Sequence, residues 1–190
     1  KPAVLFPLLL SLTLFAGPGS AAPETRPAEP FSTPYMTASS PAGENWWMQS
    51  DSDTAVAFFR GSANNSFVAN VALFRMGPAS SPEEYEALIK ESTARDLDPN
   101  TPARYELLEQ SIQYSTERTY PCVRYRAVSR DNGAKGASEP LLLEVDGLYC
   151  RHPANESLGV SILYSHRGLT RHADLKTEAN EFINNVSLHG

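Results

Sequence analysis

The chain lacks the motifs of the commonest enzymatic chemistries. It has two cysteines and four histidines among 190 residues, and no histidine pair has the HExxH spacing of a zinc protease. The GxSxG motif of serine hydrolases, the GxGxxG motif of dinucleotide-binding proteins and the GxxxxGKS/T phosphate-binding loop are also missing. The sequence therefore favours a non-catalytic protein, and we expect neither a cofactor nor a bound metal.

Basic clusters are missing as well. The chain carries 16 Lys and Arg against 22 Asp and Glu, a formal net charge of -6. Proteins that bind nucleic acid neutralise its phosphates with clustered Lys and Arg side chains. A nucleic-acid partner is therefore not expected.

Long hydrophobic runs are scarce, and the most apolar one lies at the start of the chain. It extends from Ala3 to Ala16, after a lysine, and is followed by small residues up to Ala22. This order predicts a secretory signal peptide over residues 1–22. About fourteen apolar residues interrupted by Pro7 fall short of the roughly twenty that a membrane-spanning helix needs. We expect a periplasmic or secreted protein with no stable membrane insertion after signal cleavage.

Composition divides the remainder into a tether and a domain. Residues 23–45 contain five prolines interspersed with Ala, Ser, Thr and Glu, which predicts a semi-extended tether. Phe31, Tyr35 and Met36 are the residues of this segment that could dock locally. Residues 46–190 are long enough for a single domain with its own core.

Within the domain, strand patterns outnumber helix patterns. Seven strands are predicted, at Trp46–Ser50, Thr54–Arg60, Ser66–Met76, Tyr105–Ser115, Cys122–Arg130, Leu141–Cys150 and Leu158–Ser165. Ser81 and Pro82 predict the start of one helix, and apolar residues at helical spacing from Leu175 to Val186 predict a second. The fold class expected is α+β, a mostly antiparallel twisted sheet of about six to seven strands with two helices packed on it.

One predicted hairpin carries a disulfide. Folding the chain about the turn at residues 131–136 places Cys122 opposite Cys150 and Arg126 opposite Asp146, with Arg124 and Glu144 on the same face. The other face is apolar, as in an antiparallel pair that is buried on one side. Opposed cysteines in an oxidising compartment predict a bridge worth about 3 to 4 kcal/mol.

A second hairpin is predicted to follow across residues 151–156. If Cys150 lies opposite Ser157, then Tyr149 and Val145 meet Leu158 and Ile162 on the apolar face. The core face of the sheet would then continue across three strands.

The adjacent Trp46 and Trp47 are the predicted partner-binding residues. Alternation along a strand sends one indole ring to each face of the sheet. Tryptophan is enriched at binding hot spots. The alternative is that a helix or the tether covers the second ring.

The order of the elements, three strands, a helix, four strands and a helix, resembles the PsbP-like α/β/α sandwich over roughly Trp46 to Leu188. That resemblance implies an antiparallel sheet flanked by helices, and it implies a non-catalytic accessory or interaction protein. It carries no residue motif and assigns no functional residues.

The function expected is that of an extracytoplasmic binding or accessory protein that engages a protein partner, for example as an inhibitor. Two alternatives remain open. A small hydrolase with an unrecognised site would bring His166, His172 and an acid together in one pocket. A carrier of a small apolar ligand would have a sizeable apolar cavity between sheet and helix.

Overall fold

The structure is a computed structural model that describes residues 26–95, 104–134 and 136–189. The predicted signal peptide, residues 1–22, lies outside the described residues. So does the start of the predicted tether, residues 23–25.

The described residues form eleven β-strands and two α-helices. In chain order they are β1 (Arg26–Pro27), β2 (Phe31–Ser32), β3 (Met36–Ala38), β4 (Trp47–Ser52), β5 (Ala55–Ser62), β6 (Asn65–Arg75), α1 (Pro82–Arg95), β7 (Tyr105–Ser115), β8 (Cys122–Asp131), β9 (Leu141–His152), β10 (Asn155–Gly168), α2 (Leu175–Asn184) and β11 (Val186–Leu188). Neither helix combines the length and the apolarity that crossing a bilayer would need.

The predicted fold class is wrong. The protein is mostly β, with 53% of the described residues in strands and 15% in helices. Its strands form two antiparallel sheets, one of eight strands in the order β1-β4-β5-β6-β10-β9-β8-β7 and one of three in the order β11-β3-β2. The four unpredicted strands have two or three residues each, too few to show the period-two alternation by which a strand is recognised in a sequence.

Three of these short strands lie in the proline-rich segment. β1 pairs with β4, while β3 pairs with both β2 and β11. Met36 and Ala38 are fully buried. The carbonyl oxygen of Tyr35 accepts a hydrogen bond from the backbone N–H of His189 over 2.8 Å and lies 3.1 Å from Nε2 of His152. The described part of the segment is thus packed on the domain at several points.

Each face of the eight-stranded sheet packs against one helix. We call one side the α2 face: its Phe58 and Ile162 pack in one core cluster with Phe182 and Ile183 of α2. The other side is the α1 face. There Val123, Tyr149 and Leu163 pack in a second cluster with Tyr85 and Ile89 of α1. Because strand residues alternate between faces, each core draws on every second residue of the same strands.

The register predicted for the β8–β9 hairpin is confirmed. Cys122 lies opposite Cys150, and the two form a disulfide. Arg126 lies opposite Asp146, and Val123 opposite Tyr149. The charged and the apolar residues of the two strands therefore separate onto opposite faces as expected.

The register predicted for the β9–β10 hairpin is wrong. Cys150 lies opposite Val160, three residues beyond the predicted Ser157, because the pairing shifts between Asn155 and Gly159. The side chain of Asn155 explains the shift: its Oδ1 accepts hydrogen bonds from the backbone N–H and the hydroxyl of Ser157, over 3.0 and 2.8 Å. This local turn absorbs extra residues on β10.

An odd shift exchanges the faces of a strand. Ile162 and Tyr164 therefore lie in the α2-face cluster with Leu148 and Cys150. The prediction had placed Ile162 opposite Val145, on the other face together with Tyr149.

Candidate functional site

Charged side chains on the α2 face of β8 and β9 form a buried network. Nε of Arg124 donates a hydrogen bond to Oδ1 of Asp146 over 2.6 Å, and Nε of Arg126 donates to Oδ2 of the same carboxylate over 3.1 Å. A terminal nitrogen of Arg124 donates to Oδ1 of Asn180, in α2, over 2.7 Å. Arg124 and Asp146 are only 6% and 3% exposed. The inference that this hairpin is buried on its apolar side alone is therefore wrong, since α2 covers the charged side too.

Two histidines and a glutamate meet beside this network. Oε2 of Glu144 lies 3.2 Å from Nδ1 of His166 and accepts a hydrogen bond from the backbone N–H of His172 over 2.7 Å. Nε2 of His166 lies 2.9 Å from Oδ1 of Asn65, and the two imidazole centroids are 5.2 Å apart. Phe67 stacks against both rings. His166, His172 and an acid, the groups named in the hydrolase alternative, therefore lie together, but only His172 and Glu144 line the cleft that adjoins them.

A second carboxylate, Glu178 of α2, lies on the far side of His172. The hydroxyl of Tyr164 donates a hydrogen bond to its Oε2 over 2.6 Å. Nε2 of His172 lies 3.2 Å from its Oε1, a distance that suits an ion pair, although the ring is not aligned for a hydrogen bond.

The pKa values of Tyr164 and Glu178 both move in the direction that keeps the phenol neutral and the carboxylate charged. Burial raises the pKa of the Tyr164 phenol, and its hydrogen bond to Glu178 raises that pKa further. Burial alone would raise the pKa of Glu178 too. The hydrogen bond from Tyr164 and the nearby His172 and Arg60 outweigh burial and lower it.

An open cleft of about 560 Å³ lies beside these groups, between strands β7 to β9 and the segment that leads into α2. Its charged lining residues are Glu109, Arg126, Glu144, Asp146, Arg171 and Lys176, and His172 also lines it. Charges of both signs make this cleft unlike the apolar cavity that a carrier of an apolar ligand needs. Within the described ranges, no group of three or more His, Cys, Asp or Glu side chains could hold a metal ion.

The two tryptophans have different environments. Trp46 is buried on the α2 face, where its Nε1 donates to the carbonyl of Ala42 over 3.2 Å and the guanidinium of Arg60 lies 4.8 Å from its ring centroid. Trp47 points to the α1 face and is 45% exposed. Of the two predicted partner-binding side chains, Trp47 alone is on the surface.

Trp47 belongs to an apolar strip across three strands. It lies opposite Phe59, which lies opposite Val68, and both of these side chains are half-buried. The alanines at positions 55, 57 and 72 extend the strip on the same face. We call these six residues the Trp47 surface. α1 packs on β7 and β8, toward the opposite edge of the sheet.

Sequence reasoning found part of the charged cluster and missed the rest. The predicted hairpin register placed four charged residues on one face, and the structure has the same register. The four are Arg124, Arg126, Glu144 and Asp146. His166 and His172 were named in the hydrolase alternative, but the acid beside them was not identified as Glu144, and the partner of Arg124 in α2, Asn180, was missed. The spacing along one strand gives no sign of which distant element will cover it. Comparison with protein-family models and with curated protein sequences finds no match.

Proposed function

We propose that the protein is a non-catalytic, extracytoplasmic binding protein that engages a protein partner through the Trp47 surface. The observation that carries this proposal is the 45% exposure of Trp47 in line with the half-buried Phe59 and Val68. Large exposed aromatic side chains surrounded by apolar contacts are typical of protein-binding hot spots. An inhibited enzyme is one form that the partner could take.

Two further features agree with this role. Disulfides such as Cys122–Cys150 persist in oxidising compartments, which supports an extracytoplasmic location. The resemblance in element order to PsbP-like proteins is in line with an accessory role, and we propose that the chain is related to them.

The test has two stages. A photo-cross-linking residue replaces Trp47 in the full chain, and the cross-linked protein is identified after irradiation of the cells that make it; the control carries the same residue at Leu169, which is 59% exposed. The affinity of the identified partner is then measured for wild type, Trp47→Ala and Leu169→Ala.

We expect Trp47→Ala to weaken binding by about thirtyfold or more, the effect of losing a hot-spot residue. Leu169→Ala should change it by less than about threefold, because surface residues outside hot spots contribute little. Equal cross-linking from both positions, or equal affinities of both variants, would overturn the proposal.

A second function, hydrolysis in the cleft, is favoured by one observation: His172 and Glu144 line the cleft together, and His166 lies behind them in contact with Glu144. His172 would take a proton from a water molecule as the water oxygen attacks the carbonyl carbon of an ester, with Glu178 stabilising the imidazolium. The imidazolium would return the proton to the leaving oxygen as the ester bond breaks. Turnover of 4-nitrophenyl acetate by wild type and by His172→Gln tests this, with His189→Gln as the matched control. Loss of turnover in His172→Gln alone supports hydrolysis, whereas equal rates in all three proteins exclude His172 as the base.

A further inference from the structure

The charged cleft has a free acceptor at one wall. Oε2 of Glu144 is already shared by His166 and the backbone of His172. Within the described parts of the chain, Oε1 of Glu144 has no hydrogen-bond partner, and Glu144 lines the cleft. Glu144 as a whole is 5% exposed, but this oxygen is not one of the buried polar atoms without a partner. An accessible carboxylate oxygen with an open position suits a charged donor such as an ammonium group.

The same cleft has free donors at its other wall. Nε of Arg126 donates a hydrogen bond to Asp146, and the two terminal nitrogens of Arg126 donate none to the residues that the structure describes. Lys176 is exposed in the first turn of α2, and the side chain of Asp174, at the N-cap, does not cap that helix. Two cations and the positive end of a helix dipole favour a carboxylate there.

These opposite charges lie close together on the sheet. Arg126 is directly opposite Asp146, and Glu144 is two residues along from Asp146 on the same face. Such diagonal neighbours are about 7 to 8 Å apart at Cα, within the combined reach of their side chains. Asp146 is paired with Arg124 and with Nε of Arg126, and Glu109 is paired with Arg171. The charged groups left for a ligand are therefore Glu144, Lys176 and the terminal nitrogens of Arg126.

We propose that this cleft binds a small zwitterion, a free amino acid or a short peptide, with its ammonium group on Glu144 and its carboxylate on Arg126 and Lys176. Glu144 disfavours a purely anionic ligand, and the two cations disfavour a purely cationic one. A volume of about 560 Å³ is in the range of small-ligand sites and has room for a short peptide. The proposal is independent of the Trp47 surface, and if the cleft is hydrolytic it also names the substrate class.

The experiment is calorimetric titration of the full chain at low salt, because screening weakens exposed charge contacts. The probes are glycine, trialanine with free termini, N-acetyl-trialanine and trialanine amide. We expect glycine or free trialanine to bind with a Kd below about 1 mM, a modest affinity for a small ligand. Blocking either terminus of trialanine should weaken its binding at least about tenfold, since each block removes one charge-assisted contact.

Variants test the assigned residues. Arg126→Gln and Lys176→Gln should each weaken free trialanine at least about fivefold and leave the amide unaffected, because the amide lacks the carboxylate they contact. Arg130→Gln is the matched control, because Arg130 is on the same strand and its side chain is 45% exposed against 43% for Arg126. This variant should bind as wild type does. Trp47→Ala should also leave trialanine binding unchanged, so a failure here is distinguishable from a failure of the partner proposal.

The proposal is overturned if neither glycine nor free trialanine binds with a Kd below about 1 mM. It is also overturned if the blocked peptides bind as tightly as the free one. A loss in Arg130→Gln equal to that in Arg126→Gln would mean that the overall charge of the protein, and no site, is responsible.

Discussion

Beneath α1 the central strands present Val123, Tyr149 and Leu163, and beneath α2 the same strands present Arg124 and Asp146. Both sets are buried to a similar depth. The apolar set is held by contacts that have no preferred partner, so each side chain contributes in proportion to the surface it buries. The charged set is held only while every group keeps its partner, because a buried charge without one is costly.

On the α2 face the groups that stabilise the fold adjoin the candidate site, whereas on the α1 face the two are separate. On the α1 face the packed core lies under α1, and the exposed Trp47 lies toward the opposite edge of the sheet. On the α2 face the buried ion pairs adjoin the cleft directly, and Arg126 takes part in both. Substitutions on the two faces should therefore have different consequences.

The largest loss of stability should come from breaking the buried ion pair. Asp146→Ala leaves Arg124 buried without its main carboxylate, and we expect the free energy of unfolding to fall by about 3 to 5 kcal/mol. Glu117→Ala is the control, because Glu117 also pairs with Arg124, over 3.1 Å, but its side chain is 49% exposed. Its loss should be below about 1 kcal/mol. Urea denaturation at neutral pH measures both, and equal losses would contradict the contrast drawn between the two faces.

A smaller loss is expected on the α1 face. Leu163→Ala should lower the free energy of unfolding by about 2 to 4 kcal/mol through lost burial and the cavity that remains. Leu169→Ala is the matched control, because Leu169 is exposed, and its effect should stay within about 0.5 kcal/mol. The loss in Leu163→Ala should be the same at low and high salt. A strong salt dependence would show that Leu163 is coupled to the one buried charge described beside α1, Arg151, whose Nε donates to the hydroxyl of Tyr85 over 2.7 Å.

The two hairpins show how much of the fold could be predicted from the sequence. For β8–β9 the cysteine pair, the charge pair of Arg126 with Asp146 and the apolar pairs all required one register, and that register is present. For β9–β10 the apolar pattern was the only guide, and residues on β10 that are folded into a turn by Asn155 shifted it. The alternation of apolar and polar residues does not reveal how many residues such a side-chain turn takes out of the pairing.

The site was predictable to the extent that it lies within one hairpin. Period-two alternation placed Arg124 and Glu144 on one face, but Glu178 and Asn180 come from a helix that follows β10. Alternation also gave the two tryptophans opposite faces without telling which face is open. That depends on where α1 and the proline-rich segment pack, a tertiary outcome that no local pattern contains.

The smallest expected effect concerns the hydrogen bond that joins the sheet to α2. Tyr164→Phe removes the donor to Glu178, and we expect a loss of about 1 to 2 kcal/mol at neutral pH. Because the folded protein lowers the pKa of Glu178, the stabilisation from this carboxylate is complete above its ordinary pKa of about 4.3 and disappears as the pH falls through the lowered value.

The stability difference between wild type and Tyr164→Phe should therefore shrink on acidification, when Glu178 is protonated in both proteins. Tyr120→Phe is the control, because the half-buried Tyr120 has no carboxylate partner among the residues described. Its difference from wild type should not change between neutral and acidic pH. Thermal denaturation across that pH range measures both differences. If the Tyr164→Phe difference persists in acid, Tyr164 stabilises the protein by packing against Phe67 and Phe182 and not through Glu178. The α2 face would then be stabilised at this point by apolar contacts, as the α1 face is.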